Sequence, residues 1–360
     1  MSKHKFPYNW HLKDGYPAKG INPNNLNVFG AFICGGGSTM GYKLAGFEHL
    51  GGVEIDPKVA AVYQVNHKPK YLYIEDIRDF VKRNDIPKEL YSLDLLDGSP
   101  PCSSFSMAGN REKDWGKEKV FREGQALQIL DDLFFDYIAL AKKLQPKVVI
   151  AENVKGLIQG NAKSYVKKIK TGFEEAGYKV QLFLLNAASM GVPQKRERVF
   201  FICQRSDLNF PVLKLSFDEK VIKYGEYRKN GSDRPFTEHD RNIWENKKIG
   251  DRDYGQTLLR IENRESNWNS KYIYDNEPCQ TITSTSGSKL ISFTEPKHLS
   301  TEEIKMSGSY PMDYDFVGMD EKYLIGMSVP PVMTAQIASQ IKEQWFDNKY
   351  NKTVEKQLNG

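Results

Sequence analysis

The sequence predicts an α/β fold, a doubly wound and mostly parallel sheet with a second, smaller domain. Apolar runs alternate with amphipathic stretches from Asn27 to about Cys203, a pattern typical of a parallel sheet with helices on both faces. A run of glycines follows the first apolar run, as at the ligand-binding edge of such sheets. From about Ser206 to Asp275 the alternation stops and polar residues dominate, which indicates a separate domain.

Strands are predicted where short apolar runs end in turn residues. In chain order they are Val28–Cys34, Gly52–Ile55, Leu93–Leu96, Val148–Ala151, Val180–Leu185 and Val199–Cys203. Apolar residues at helical spacing predict helices over Gln125–Leu144, about Ala162–Glu175 and about Pro331–Trp345. Residues 1–26 lack a period and are expected to form an irregular extension, and residues 348–360 a frayed tail.

The polar region at 206–275 has two interpretations. Its Asn, Arg, Tyr, Asp and Lys content is compatible with disorder, whereas its interleaved aromatic residues favour a small folded, surface-rich module. We therefore predict a domain at 27–205, a smaller one at 206–277, and a segment at 278–347 that returns to the first domain. The aromatic residues are Tyr224, Tyr227, Trp244, Tyr254, Trp268 and Tyr272.

Composition excludes several classes of protein. The 360 residues are 39% hydrophobic, enough for one large domain and a smaller one. No stretch approaches the roughly 20 apolar residues of a membrane span, and the first residues lack a signal peptide's apolar core. The four cysteines lie far apart, without metal-type spacing, so we expect a reduced cytosolic protein with free thiols and no metal. The net charge of +5 is compatible with a polyanionic partner but favours one only slightly.

A glycine-rich turn and an acidic residue point to an adenosine-type ligand. Phe32 leads into Gly35-Gly36-Gly37, where the backbone can turn sharply and approach a ligand at a helix N-terminus. Glu54, about 20 residues further on, ends the second predicted strand and suits a ribose. The glycines do not match GxGxxG, and a purely structural turn with a solvated Glu54 is the alternative.

Two further charged motifs are weaker signals. Asp76, expected at the end of a third strand, could read an adenine amino group or could be a surface acid. In Gln194-Lys195-Arg196-Glu197-Arg198, the alternation places Arg196 and Arg198 on one face, where guanidinium groups suit phosphate or carbonyl oxygens. A solvated charge run is the alternative for this pentapeptide.

A thiol and a carboxyl group follow two of the predicted strands. Cys102 comes directly after Pro100-Pro101, and the fourth strand runs into Glu152-Asn153-Val154. Open α/β sheets place their chemistry at these carboxyl ends. By itself Cys102 could be a small buried hydrophobe, but together with Glu152 it predicts a catalytic pair.

These residues together resemble the cytosine-C5 DNA methyltransferases of bacterial or phage type, with that family's motifs in order from about Asn27 to Ile341. The most specific motifs are Pro100-Pro101-Cys102, Glu152-Asn153-Val154 and the pentapeptide ending in Arg198. Weaker matches are Phe32–Gly37, Glu54, Asp76 and the stretch from Glu277 to Thr283.

The resemblance implies a Rossmann-like methyltransferase domain that uses S-adenosylmethionine. Cys102 would attack C6 of cytosine, Glu152 would bind the N3 edge and supply a proton, and Arg198 would hold O2. Arg196 would support the site or a phosphate. The implied cofactor contacts are Phe32, Gly35, Gly36, Gly37, Glu54, Ile55, Asp76, Ile77 and Pro100.

The remaining expectations concern the nucleic acid. The target cytosine would be flipped out of double-stranded DNA, beneath a mobile loop from Ser103 to about Gly124, and the module at 206–277 would recognise the target sequence. The expected form is a monomer, nucleoid-associated through DNA. A cognate restriction endonuclease would act on the same site without a stable complex.

Two departures from the family pattern stand near the end of the chain. Met327, in Gly326-Met327-Ser328-Val329-Pro330, replaces an asparagine whose amide helps to close the cofactor site. In the helix from Ser300 to Ser307, Glu302 and Met306 stand where the family has bracing arginines.

Three alternatives remain. The same chemistry could act on an RNA cytosine, although a long variable module favours a sequence-reading DNA enzyme. A nicotinamide oxidoreductase would explain the glycines and Glu54 but not Cys102, Glu152 or the arginines. A non-catalytic nucleic-acid-binding relative would be consistent with Met327.

Overall fold

Residues 4–16, 26–101, 133–159, 163–265, 270–285 and 289–347 are described by a computed structural model. Seven strands form one sheet: β1 (Asn27–Ala31), β2 (Glu48–Glu54), β3 (Tyr71–Ile74), β4 (Leu95–Gly98), β5 (Val148–Val154), β6 (Tyr178–Asn186) and β8 (Glu197–Arg205). Two short parallel pairs join β7 (Gln194–Lys195) to β10 (Cys279–Gln280), and β9 (Lys271–Ile273) to β11 (Leu290–Ser292).

Ten α-helices accompany these strands in the described residues. They are α1 (Gly37–Leu44), α2 (Pro57–His67), α3 (Ile77–Lys82), α4 (Leu133–Leu144), α5 (Lys163–Glu175), α6 (Glu238–Glu245), α7 (Tyr254–Glu262), α8 (Thr301–Ser307), α9 (Glu321–Met327) and α10 (Pro331–Ile341). The last predicted helix, about Pro331–Trp345, is confirmed. Its first part is α10, and a π-helical turn at Lys342–Phe346 completes it. None of the described helices is both long and apolar enough to cross a bilayer.

The sheet order confirms the predicted doubly wound, mostly parallel arrangement. The order is β3-β2-β1-β4-β5-β8-β6, in which the pairs from β3 to β5 are parallel and β8 runs antiparallel to β5. The chain moves outward from β1 to β3 and then returns to the other side of β1 to form β4. Ligands of open α/β sheets bind outside the carboxyl ends of the strands at such a reversal.

Strand β4 shows that helices cover both faces of the sheet. The Tyr42 hydroxyl of α1 donates to Asp97 Oδ1 at 2.9 Å. A Cβ on the next residue, Gly98, would lie 2.5 Å from the ring of Tyr137 in α4. Because successive residues of a strand point to opposite faces, α1 and α4 lie on opposite sides of the sheet. The core on the α4 side includes Phe80, Phe134, Ile169 and Phe173, all essentially inaccessible to solvent.

The first strand is shorter than predicted. The apolar run suggested Val28–Cys34, but β1 ends at Ala31. Phe32 and Cys34 adopt left-handed backbone conformations, with φ of 55° and 49°, which cannot continue a strand. Hydrophobicity therefore marked the buried segment correctly, whereas the backbone of the following turn set its end.

The described residues divide into two compact units. The sheet unit contains residues 18–185, 197–215 and 337–360, and the second unit contains 1–17, 186–196 and 216–336. The domain boundaries predicted from the sequence, at 205/206 and 277/278, are a functional division and stay a prediction.

The polar region beyond Ser216 is folded in its described part, as its aromatic residues predicted. Tyr254 and Tyr272 pack in a buried cluster with Ile243, Leu258 and Ile291. The Trp244 indole at its edge donates to the Ser292 carbonyl at 2.8 Å. Trp268 lies outside the described residues.

The N-terminal residues pack into the second unit. Residues 4–16 contain only a short 3₁₀ turn, Leu12–Asp14, so they are irregular as expected. They are nevertheless anchored: Trp10 is buried and its indole donates to the Ser309 carbonyl at 3.0 Å. Asp313 accepts the backbone N–H groups of Leu12 and Lys13.

Candidate active site

The turn that leads to Cys102 is held by the strand next to it. After β4 ends at Gly98, the chain passes through Ser99 to the buried Pro100. The Asn153 side chain in β5 donates from Nδ2 to the Pro100 carbonyl at 3.1 Å. Because each proline fixes its own φ, the two prolines and this hydrogen bond together restrict the backbone of the turn up to Pro101. Cys102 itself and the loop predicted over Ser103–Gly124 lie outside the described residues.

Glu152 and Arg198 form a buried ion pair across two strands. The Arg198 Nε lies 2.9 Å from Glu152 Oε1, and the two side chains are 14% and 11% exposed. In the antiparallel ladder Val154 faces Arg198, so Glu152 is the diagonal neighbour of Arg198 on the same face. Burial lowers the pKa of Arg198, and the nearby Glu152 charge opposes that shift. The structure thus brings together two of the four residues predicted to be catalytic.

Arg196 lies in a different environment, within the second unit. Its side chain is 2% exposed and donates to three backbone carbonyl oxygens: Ile282 at 3.0 Å, Gly326 at 2.9 Å and Ser328 at 3.0 Å. These bonds connect Ile282, in the segment just after β10, to the end of α9. Of the two roles that the sequence left open for Arg196, support or a phosphate contact, this geometry fits support.

The loop after β1 is built on the Glu54 carboxylate. Glu54 Oε2 accepts the Cys34 backbone N–H at 3.0 Å, and Oε1 accepts that of Asp56 at 3.0 Å. Desolvation of the Glu54 carboxyl raises its pKa, and these two donors together with the Ile55 backbone N–H counteract this shift. A carboxylate has about four lone-pair sites, so three backbone bonds still leave acceptor capacity for a ribose hydroxyl.

Close packing requires a glycine at position 36 of this loop. Gly36 has a φ of 80° and precedes α1, and a Cβ there would lie 2.1 Å from Nε2 of the buried His67. Left-handed residues at Phe32, Cys34 and Gly36 alternate with ordinary ones and turn the backbone tightly. Such strain is retained mainly at functional sites. Together with the Glu54 acceptors, this loop fits the adenosine part of S-adenosylmethionine.

Three other predicted cofactor contacts have different surroundings. Asp76 follows β3 and caps α3, and both of its carboxylate oxygens bind the Arg78 guanidinium, at 3.0 and 2.7 Å. Burial by itself raises the pKa of Asp76, but the bonds from Arg78 outweigh this effect and lower the pKa. Ile77 is buried in the core, whereas Ile55 is 37% exposed beside Glu54. Their roles toward a cofactor stay predictions.

Sequence reasoning missed two residues of this region: Asn153, which lies inside a quoted motif, and Asp97, which directly follows the predicted strand Leu93–Leu96. Asn153 follows Glu152 directly, and neighbouring residues of a strand point to opposite faces, so it reaches the proline turn rather than Arg198. Asp97 is a buried acid at the end of β4. Asp97 could have been recognised from the sequence, because an acidic residue at the carboxyl end of a buried strand is a candidate site residue.

The two departures near the chain's end are accommodated in different ways. Gly326 is kept, because a Cβ there would lie 2.5 Å from the Thr283 backbone, and Met327 is half-buried. In α8 the bracing role falls to Glu303, which is fully buried. Its carboxylate accepts from the Tyr224 hydroxyl, the Lys229 backbone and Lys297 Nζ at 2.8 to 2.9 Å. A buried glutamate and lysine thus brace this helix where arginines were expected.

Comparison with known proteins gives a consistent family. The family model for C-5 cytosine-specific DNA methylases matches residues 28–343. Type II methyltransferase M.FnuDI from Fusobacterium nucleatum is 30% identical over 354 residues, which cover 90% of this chain and 96% of that protein. Type II methyltransferase M.NgoPII from Neisseria gonorrhoeae is 36% identical over 198 residues, covering 54% of this chain and 51% of that protein.

Solved structures agree in fold. A DNMT2 variant from Spodoptera frugiperda superposes with a TM-score of 0.61 at 17% identity, covering 89% of this chain and 100% of that one. The Entamoeba histolytica methyltransferase EhMeth superposes with a TM-score of 0.61 at 14% identity, covering 89% and 98%. At these identities the likeness concerns the fold alone.

Proposed function

The chain belongs to the C-5 cytosine-specific DNA methylases and is a DNA cytosine-C5 methyltransferase, and on that premise we propose how its residues act. The enzyme methylates a flipped-out cytosine within a specific double-stranded DNA sequence. Catalysis runs through a covalent bond between Cys102 Sγ and C6 of the base. S-Adenosylmethionine, implied by the family, supplies the methyl group when bound.

One observation carries the proposal: strand β5 contacts both the arginine expected at the base and the turn that precedes Cys102 in the sequence. Glu152 binds Arg198 at 2.9 Å, and the next residue, Asn153, binds the Pro100 carbonyl at 3.1 Å. Two adjacent residues of one strand therefore fix both the polar pair and the turn that precedes Cys102. Because the turn after β4 and the acid on β5 belong to neighbouring strands, we expect Cys102 and Glu152 to reach one ring with little reorganisation.

Covalent catalysis overcomes the low reactivity of C5 in cytosine. The Cys102 thiolate forms a bond to C6 while a proton from Glu152 reaches N3, so the ring electrons shift and C5 becomes nucleophilic like an enamine. C5 then takes up the methyl group. Loss of the C5 proton to a base, return of the N3 proton to Glu152 and departure of Cys102 as thiolate restore the aromatic ring.

The arginines have separate tasks in this proposal. A guanidinium carries five N–H donors. The described bonds of Arg198, to Glu152 and to the Glu197 carbonyl at 2.8 Å, use two of them. Donors remain to hold O2 of cytosine while Glu152 meets the N3 edge. Arg196 acts as a positioning residue through its three carbonyl contacts.

Cofactor binding is assigned to the edge formed by β1 and β2. Glu54 accepts the ribose hydroxyls while it holds the loop through the Cys34 N–H. The remaining predicted contacts are Phe32, Gly35, Gly36, Gly37, Ile55, Asp76, Ile77 and Pro100.

Target recognition is assigned to residues 206–277. Arg, Asn and Gln side chains there would read base edges in the major groove, and lysines would contact phosphates. Exchanging 206–275 for the corresponding region of a relative with another target should change the methylated sequence. Bisulfite sequencing of plasmid DNA from the expressing host measures this, and a chimera that kept its original target would place recognition elsewhere. A cognate restriction endonuclease for the same sequence belongs to this proposal.

The covalent step has a direct test. An oligonucleotide duplex with 5-fluorocytosine at the target position should trap the enzyme, because fluorine at C5 cannot leave as a proton does. We expect a denaturation-resistant protein–DNA adduct that forms only with S-adenosylmethionine, and peptide mapping should place it on Cys102. An adduct on another residue, or none on a duplex that is methylated when it carries cytosine, would overturn the mechanism. The same assay on an RNA target tests the alternative substrate.

A further inference from the structure

Asp97 is a buried carboxylate at the point where the sheet order reverses. It lies in β4, level with Gly30 of β1 and Ile150 of β5, and is 8% exposed. Its Oδ1 accepts the Tyr42 hydroxyl at 2.9 Å, and the Ser38 hydroxyl also binds the carboxylate. Ser38 stands in the first turn of α1, directly after the glycine loop. Asp97 is therefore bonded to the helix that begins at the end of the loop assigned to the cofactor.

No cation neutralises this carboxylate within the described part of the chain. The groups that act on it are two hydroxyls, a backbone N–H and the Glu152 charge. Burial, with the smaller effect of Glu152, raises the pKa of Asp97 to about 6, against the hydroxyl bonds that lower it. A buried charge without a cationic partner is costly, so its retention beside a ligand site calls for a ligand that supplies the positive charge.

We propose that Asp97 selects the cationic methyl donor over its neutral product by attracting the sulfonium of S-adenosylmethionine. This inference rests on the proposed function and adds a specificity residue to it. S-Adenosylhomocysteine shares the adenosine and amino-acid parts but has an uncharged thioether sulfur. An opposite charge in a buried site thus distinguishes two ligands that neutral contacts bind alike.

The charge difference gives Asp97 a role in turnover. When the methyl group leaves, the bonding electron pair stays on sulfur and the positive charge disappears. The attraction to Asp97 is lost in the same step, so the product is held less tightly than the donor that replaces it. Asp97 thereby favours exchange of spent for fresh cofactor.

The wild-type protein offers a pH test. Because the pKa of Asp97 is raised, its negative charge is present above about pH 6 and lost as the pH falls below that value. Affinity for the donor should therefore fall between pH 7.5 and 5.5 more than affinity for the product. The other titratable groups acting on Asp97 or acted on by it are Tyr42 (α1), Tyr63 (α2), Tyr137 (α4) and Glu152 (β5). The three tyrosines have raised pKa values and stay neutral in this range.

The variant test compares Asp97→Asn with Asp94→Asn. Asp94 is also buried but precedes the other end of β4, where it pairs with Lys147 at 2.7 Å. Calorimetric titration with each ligand at pH 7.5 gives two dissociation constants per protein. In Asp97→Asn we expect binding of the donor to weaken about tenfold relative to the product, the size of a lost nearby charge. Asp94→Asn should leave that ratio unchanged.

The outcomes separate the possibilities. Equal weakening of both ligands by Asp97→Asn would reduce Asp97 to a structural residue and overturn the inference, as would an unchanged ratio. If Asp97→Asn does not fold, the wild-type pH series decides: a donor-to-product affinity ratio independent of pH from 7.5 to 5.5 refutes it. Wild-type protein that binds neither ligand at pH 7.5 would refute the proposed function itself, and this inference with it.

Discussion

Buried acids at the two ends of β4 have different kinds of partner. At the amino end, Asp94 is neutralised by Lys147 at 2.7 Å and accepts the Asn27 backbone N–H at 2.9 Å. At the carboxyl end, the donors to Asp97 in the described residues are uncharged, two hydroxyls and a backbone N–H, and Glu54 on the neighbouring edge has backbone N–H groups. At the amino end the acid is neutralised by a lysine, whereas at the carboxyl end no cation of the described residues pairs with Asp97.

The two ends therefore differ in how their buried acids affect the stability of the fold. A satisfied ion pair at the amino end holds neighbouring strands together. At the carboxyl end, burial raises the pKa of both Asp97 and Glu54, which means that the fold disfavours their charged forms. That strain is expected of a site that awaits a ligand.

The largest expected effect is at Cys102, four residues after β4 in the sequence. Cys102→Ala should bring methyl transfer below detection, because no other group forms the bond to C6. Transfer of labelled methyl from S-adenosylmethionine to DNA measures activity, and a gel-shift assay should show DNA binding retained. A Cys102→Ala enzyme that still methylates DNA would refute covalent catalysis by this thiol.

The next effect concerns the acid on β5. Glu152→Gln should reduce turnover about 10²–10⁴-fold, the usual contribution of a general acid, since glutamine can bind N3 but cannot protonate it. Single-turnover kinetics measures the loss, and cofactor titration serves as the control. Activity within a few-fold of wild type would remove Glu152 from proton transfer.

A smaller effect is expected at the cofactor edge. Glu54→Ala removes the acceptor for the ribose and for the Cys34 N–H, and should weaken S-adenosylmethionine binding about tenfold or more, as for hydrogen bonds to a charged group. DNA affinity should change little. Calorimetric titration that returned wild-type cofactor affinity would contradict the assignment of Glu54.

The smallest effect should come from the amino end of β4. Asp94→Asn weakens the bond to the half-exposed Lys147 and should lower the free energy of unfolding by about 1 kcal/mol, as for a partly exposed pair. Urea unfolding measures this. Turnover should remain unchanged, and a kinetic defect would mean that the two ends of β4 are not functionally separate.

Much of the site was predictable because its residues follow strand ends. Glu54 and Glu152 each close an apolar run, and parallel strands bring their carboxyl ends to one edge, whereas the placement of Cys102, outside the described residues, stays a prediction. Arg196 and Arg198 could not be separated in this way. They share one strand-like alternation, yet one donates to three carbonyl oxygens of the second unit and the other binds Glu152.

The amino-acid sequence alone determined the α/β class, because the period of apolar residues along the chain encodes it, and it indicated the family through the resemblance of its motifs. Only the tertiary structure decided which polar groups find partners. Asn153 reaches the Pro100 carbonyl, Asp76 binds Arg78, and Asp97 meets hydroxyls but no cation in the described residues. Which partner a polar side chain finds depends on the face of the sheet to which it points and on the element that packs against that face. Both are determined by contacts between segments that are distant in the sequence.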